Sequence, residues 1–177
     1  MLALAFLAAS WSFAAPLAFE HGGRSRSYLL VGPSGASAPR PVVIALHGGG
    51  GDGAKLRKHL DRRLDALASR EGFLVVYPDG VGKHWNDGRK GNDADSEADD
   101  IGFLEALAER LVKDGKADPR RLYLVGISNG GFMAHAAACA SSGRWAAIGA
   151  VAASLGEAVA ASGGPAEVPR RRRSLPL

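Results

Sequence analysis

The sequence has one cysteine, Cys139, among 177 residues, which excludes any disulfide within the chain. For an exported protein a lone thiol leaves three readings open: a lost partner, a free buried thiol, or pairing between molecules. The plainest reading of Cys139 is a small apolar residue on a helix. Charge of one sign is also scarce. The formal net charge is +4, and the four arginines of "PRRRRS", Arg170 to Arg173, account for all of it. The remainder is neutral, which argues against a nucleic-acid-binding surface. Internal repeats are absent. A long uninterrupted apolar run is missing too: Ser10, Ser12 and Pro16 break the opening segment, whereas a spanning helix needs about 20 apolar residues. Stable membrane insertion is therefore not expected. Histidine is sparse where it matters most, because of five only His135 follows residue 128.

What is present suits a globular domain. Apolar residues make up 46% and charged residues 23%, an ordinary balance for a soluble protein, and the length suffices for one core. The opening "MLALAFLAASWSFAAPLAFE" is apolar up to Phe19, with small residues from Ala14 to Ala18. It reads as a secretory signal over residues 1–18, which predicts an extracellular or periplasmic protein. It lacks a basic leading region, so a start further upstream and a buried N-terminal segment remain alternatives.

The elements alternate. "SYLLV" (27–31) and "PVVIAL" (41–46) read as strands, the second apolar throughout, as a parallel strand buried on both faces should be. Residues 51–72 read as one helix with Leu56, Leu60, Leu64 and Leu67 in a stripe and Gly72 as its C-cap. "FLVVYP" (73–78) is a further strand. Residues 100–115 form a helix with Ile101, Leu104, Leu107 and Leu111 on one face. "LYLVG" (122–126), the helix "NGGFMAHAAACASS" and the strand "WAAIGAVAA" (145–153) follow. Strands alternating with helices predict an α/β fold with a mainly parallel sheet and helices on both faces. The domain is expected over 19–155, and residues 156–177 have no periodicity and read as a disordered tail.

Chemistry concentrates in three places. "GISNGG" holds a Gly-x-Ser-x-Gly core between a strand and a helix, which puts Ser128 on a sharp turn with its hydroxyl above the sheet. The small residues Gly126 and Gly130 let the chain pass close by. The plain alternative is a glycine-rich turn with an exposed serine. "LHGGGG" (46–51) also follows a strand and precedes a helix. Acyl transfer builds negative charge on a carbonyl oxygen, and fixed backbone N–H groups stabilise it. Those of Asn129 and of Gly48 or Gly49 are the expected donors. His47 reads as a structural hydrogen-bonding residue at the edge of the substrate site, since it precedes Ser128 in the wrong order for a general base. The same glycines, Gly48, Gly50 and Gly53, permit a dinucleotide-binding reading with Asp79 as the ribose acid. Against it, His47 intrudes at the turn, the acid lies too far on, and the elbow is left unexplained.

The third place is the loop "KHWNDGRKGNDADSEADD". His84, Trp85, Asn86 and Asp87 combine an aromatic face with polar groups, suited to lining an ester cleft. A solvated loop with one Trp tucked under it fits equally well. Asp93-x-Asp95-x-Glu97 suggests calcium, but Ala98 and Leu104 stand where a calcium loop needs Gly and Glu. No metal site is expected there, only solvated charges and a helix N-cap at Asp99 or Asp100.

"VVIALHGGGGDG", "FLVVYPDGVGKHWNDG", "ADDIGFLEALAERL" and "DPRRLYLVGISNGGFMAHAAAC" together resemble the secreted polyhydroxybutyrate depolymerase and feruloyl/acetylxylan esterase group of α/β hydrolases, over roughly residues 25 to 155. The resemblance implies cleavage of small or polymeric carboxylic esters by Ser128 through an acyl-enzyme, without metal or organic cofactor. It also implies further strands, an acid and a later histidine, none of which this sequence offers. His135 lies seven residues after Ser128 on the same helix, ~10.5 Å along its axis at 1.5 Å per residue. The expectation is an α/β hydrolase lacking its C-terminal strands, with a tail that reads as a changed reading frame. A second cysteine in the lost segment would explain Cys139.

Overall fold

The computed structural model describes residues 15–33, 39–91, 93–141 and 143–155. Both the tail from 156 and the first fourteen residues of the expected signal lie outside them. Six strands form one sheet: β1 (Leu17–His21), β2 (Arg24–Val31), β3 (Arg40–Leu46), β4 (Leu74–Pro78), β5 (Ala117–Ile127) and β6 (Ala147–Val151). Their order is β1-β2-β4-β3-β5-β6. The pairs β4–β3, β3–β5 and β5–β6 are parallel, whereas β1–β2 and β2–β4 are antiparallel. The mainly parallel α/β sheet expected from the sequence is the sheet observed.

Among the described residues four α-helices cover it: α1 (Gly53–His59), α2 (Arg63–Glu71), α3 (Asp100–Lys113) and α4 (Asn129–Ala140). Side-chain alternation along each strand sorts the core into two layers. Val42, Ile44, Leu46, Leu74, Val76, Leu122 and Leu124 face α3 and α4, which bring Phe103, Leu104, Leu107, Leu111 and Met133. Ala45, Val75 and Tyr77 face the other way, onto Ala68 with Leu56 and Leu64. Helices therefore lie on both faces, as the unbroken apolar runs of β3 and β4 require.

Two expectations change. The single helix over 51–72 is two helices, broken where Asp61 and Arg62 take positive φ values of 49° and 54°. Its leucine stripe is only part of the buried face: Leu56 and Leu64 pack against the core, Leu60 and Leu67 are exposed, and Asp65 and Ala68 are buried. The cause is Tyr77 on β4, whose hydroxyl is carried into the core and must find an acceptor. It donates to Asp65 Oδ1 at 2.6 Å, and Arg57 Nε holds the other carboxylate oxygen at 2.6 Å. Satisfying that buried phenol brings Asp65 inward beside Leu64 and Ala68.

The hairpin β1–β2 was not visible as such, because Leu17 and Ala18 merged into the apolar opening. The structure pairs Leu17 with Tyr28 and Ala18 with Ser27, and Phe19 packs against Tyr28 and Phe103. The acidic run also differs from a purely solvated one. Asp99 caps α3 by accepting from Gly102 N–H at 2.9 Å, but Asp100 is buried and paired with buried Arg26 at 2.5 Å. Cys139 is a half-buried free thiol on α4, and its burial pushes the thiol pKa up.

Candidate active site

Because β3, β4, β5 and β6 run parallel, the segments after Leu46, Pro78, Ile127 and Val151 leave the same edge of the sheet, where open α/β sheets form their ligand crevices. Ser128 sits there between β5 and α4. It is exposed, with φ 52° and ψ −123°, a conformation that costs a non-glycine residue about 1–3 kcal/mol. Three backbone hydrogen bonds hold it. The Ser128 N–H donates to the Val151 carbonyl at 2.8 Å, and its carbonyl accepts from Gly131 and Phe132 N–H at 2.8 and 3.0 Å. The flanking glycines are needed sterically. A Cβ on Gly126 would run into the Gly130 carbonyl, and one on Gly130 into the carbonyls of Leu46 and His47.

The glycine loop lies against this elbow. A Cβ on Gly48 would stand 3.6 Å from Ser128 Cβ, and one on Gly49 would stand 3.8 Å from Asn129 Cβ and 3.0 Å from His84 Nε2. The structure thus brings Ser128, Asn129, Gly48 and Gly49 into one corner. As the first residue of α4, Asn129 has no intrahelical acceptor for its N–H.

Of the residues expected to line the substrate site, His47, Trp85 and Asp87 are buried and Asn86 is half-buried. His47 is 1% exposed and Trp85 is 0% exposed. The His47 Nδ1–H donates to the Gly48 carbonyl at 2.8 Å, and Nε2 accepts from Gly80 N–H at 3.0 Å. Those partners require the neutral ring protonated on Nδ1. Burial lowers its pKa below the ordinary imidazole value, against the opposing pull of the Gly48 bond. Trp85 stacks at 4.9 Å on the His47 ring and donates its indole N–H to the His47 carbonyl at 2.9 Å. Asn86 spends its amide on the carbonyls of Ser96 and Ala98 at 3.1 and 3.0 Å. Asp87 is buried with Arg89 at 2.8 Å. The loop packs behind the corner: Trp85 meets the His47 ring and carbonyl, and Asp87 meets Arg89 and the Asn129 side chain.

Asp79 is equally committed: Oδ1 accepts from Gly53 N–H at 2.8 Å and Oδ2 from the Ser27 hydroxyl at 2.6 Å. Asp79 thus ties the start of α1 to β2. Among the described residues no three His, Cys, Asp or Glu side chains gather as a metal site would require. Arg89 was missed in the sequence. Its signal was its place two residues beyond Asp87 across a glycine, where an Arg can fold back onto the carboxylate.

The relatives agree with this architecture. NocK of Nocardia uniformis subsp. tsuyamanensis, named as an esterase, is 34% identical over 63% of this chain and 33% of its own length. Feruloyl esterase C of Emericella nidulans is 27% identical over 73% of this chain and 47% of its own. The native crystal structure of sOPH superposes with a TM-score of 0.61 at 27% identity, over 76% of this chain and 50% of that one. The chain thus spans a third to a half of the length of these relatives. A family model, that of the prolyl oligopeptidase family, matches residues 58–156. That match covers more than half of the chain and runs through the elbow and the helix behind it, so the chain belongs to the prolyl oligopeptidase family.

Proposed function

We propose that this chain carries the nucleophile and the oxyanion site of a serine carboxylic ester hydrolase. The observation that carries the reading is Ser128: exposed, at positive φ, on a strand-to-helix turn. Its oxygen attacks the ester carbonyl, the proton passes to a base, and the carbonyl oxygen becomes an anion. The N–H of Asn129 and that of Gly48 or Gly49 stabilise that anion before the alcohol leaves and an acyl-enzyme remains. Water then releases the acid. The feruloyl and acetylxylan esterase names among the relatives support aromatic or acetyl esters of plant polysaccharide as substrates. Short polyhydroxyalkanoate esters are the other class. The signal-like opening supports export.

One observation favours weak turnover. Among the described residues no imidazole hydrogen-bonds the Ser128 hydroxyl: His21 is committed to Asp99, His47 to Gly48 and Gly80, and His84 to Gly82. Without a base, residual catalysis from the oxyanion site and binding amounts to about 10³–10⁴ over water. A chain that binds esters without turning them over is the second reading. The test is hydrolysis of p-nitrophenyl acetate and butyrate by the full chain beside Ser128→Ala. Turnover above that residual level, lost in the variant, is the expected result, and equal rates would leave the second reading.

A further inference from the structure

Asn129 presents its backbone to the candidate site and its side chain to the interior, where Asp87 receives it. Asn129 Nδ2 donates to Asp87 Oδ2 at 2.7 Å. Arg89 donates to the same carboxylate three times, from Nη2 to Oδ2 at 2.8 Å, and from Nε and its own N–H to Oδ1 at 3.0 and 3.1 Å. Four donors therefore converge on two oxygens. The guanidinium of Arg89 also lies 3.5 Å from the ring centroid of Phe132, three residues along α4 from Asn129. The 85–89 segment thus grips the first turn of α4 at two points, Asn129 and Phe132.

We infer that Asp87, clamped by Arg89, is a positioning residue that aims the Asn129 N–H at the developing oxyanion. The inference rests on the ester hydrolase reading proposed above. A carboxylate suits the place because four donors meet it, one from Asn129 and three from Arg89. An amide at position 87 would turn an NH₂ toward either Asn129 or Arg89, setting donor against donor on one side. The fold would persist, since the volume is unchanged and Trp85 still pairs with the Asn129 amide, but the helix start would lose the hold of the carboxylate. Displacements of about 1 Å in a preorganised site cost up to about 10²-fold in rate, and loss of a whole oxyanion donor costs about 10²–10³ in kcat.

The experiment compares p-nitrophenyl butyrate hydrolysis by the full chain, Asp87→Asn, Arg89→Gln and Ser128→Ala, with 15N-resolved amide spectra of each. Asp87→Asn is expected to lower kcat roughly 10- to 100-fold with KM little changed, and to move the Asn129 and Phe132 amide resonances. Arg89→Gln, at the outer side of the clamp, should give a smaller loss of the same kind. An unchanged kcat, or a loss confined to KM, would overturn the inference. Should the wild type match Ser128→Ala, the hydrolase reading fails instead. The amide spectra then decide the clamp: resonances that stay in place in Asp87→Asn refute it, and resonances that move support it.

Discussion

Asn129 and Trp85 exchange two hydrogen bonds: the Trp85 N–H donates to Asn129 Oδ1 at 2.8 Å, and Asn129 Nδ2 donates to the Trp85 carbonyl at 2.9 Å. The side-chain amide behaves as a piece of backbone would, pairing with a buried loop that has no strand beside it. This couples the start of α4 to the segment behind the glycine loop.

Asn129→Ala removes that pairing and the bond to Asp87. Each buried polar group left unpaired costs about 1–3 kcal/mol, so a total loss of roughly 2 to 4 kcal/mol is expected in urea unfolding. A loss below about 1 kcal/mol would mean that water replaces the amide without penalty.

Ser128 holds a positive φ that only glycine adopts freely. Ser128→Gly should therefore raise stability by about 1 kcal/mol while abolishing serine-dependent turnover. Thermal unfolding of the two proteins side by side measures it, and a destabilised variant would show that the elbow stores no strain.

The buried Arg26–Asp100 pair predicts an asymmetry. Asp100 Oδ1 takes the Arg26 guanidinium at 2.5 Å, and Oδ2 accepts from Asn86 N–H at 2.7 Å. Asp100→Ala leaves a buried cation and should cost about 3–5 kcal/mol, whereas Arg26→Met with Asp100→Leu should come close to neutral. Denaturant midpoints of the single and double variants check this, and equal losses would refute it.

His47 gives a pH signature. Burial lowers its folded pKa, so the unfolded chain binds the proton more readily. Stability from this residue is fully present above the unfolded value of about 6.5 and falls as pH drops toward the lower folded value. The lowered pKa values of Asp99, chiefly from the Gly102 N–H, and of Asp118, chiefly from the Arg120 N–H, act only below the ordinary carboxylate range. The two windows therefore stay separate. Stability measured from about pH 7.5 to 5 should decline in the wild type and decline less in His47→Asn. Parallel curves would place the titration elsewhere.

The elbow was readable from local pattern: a buried strand ending at Val125, small residues at 126 and 130, and a helix after Ser128. The place of the glycine loop beside the elbow was readable too, since both follow neighbouring parallel strands, although the same glycines also allowed a dinucleotide reading. The roles of Trp85, Asn86 and Asp87 were not readable. Polarity and aromaticity are the same whether a loop faces a ligand or the back of the wall that supports it, and only the partners tell the two apart.

By itself the sequence determined the alternation of strands and helices, the parallel sheet core and the position of Ser128, since these follow from periodicity and steric demands within a few residues. Tertiary structure alone decided that α2 turns Asp65 inward, that Asp100 meets Arg26, and that Asp87 and Arg89 grip α4. Each of those outcomes depends on a polar group losing water when distant segments meet. The cost of leaving it unpaired then outweighs the local preference for an apolar face.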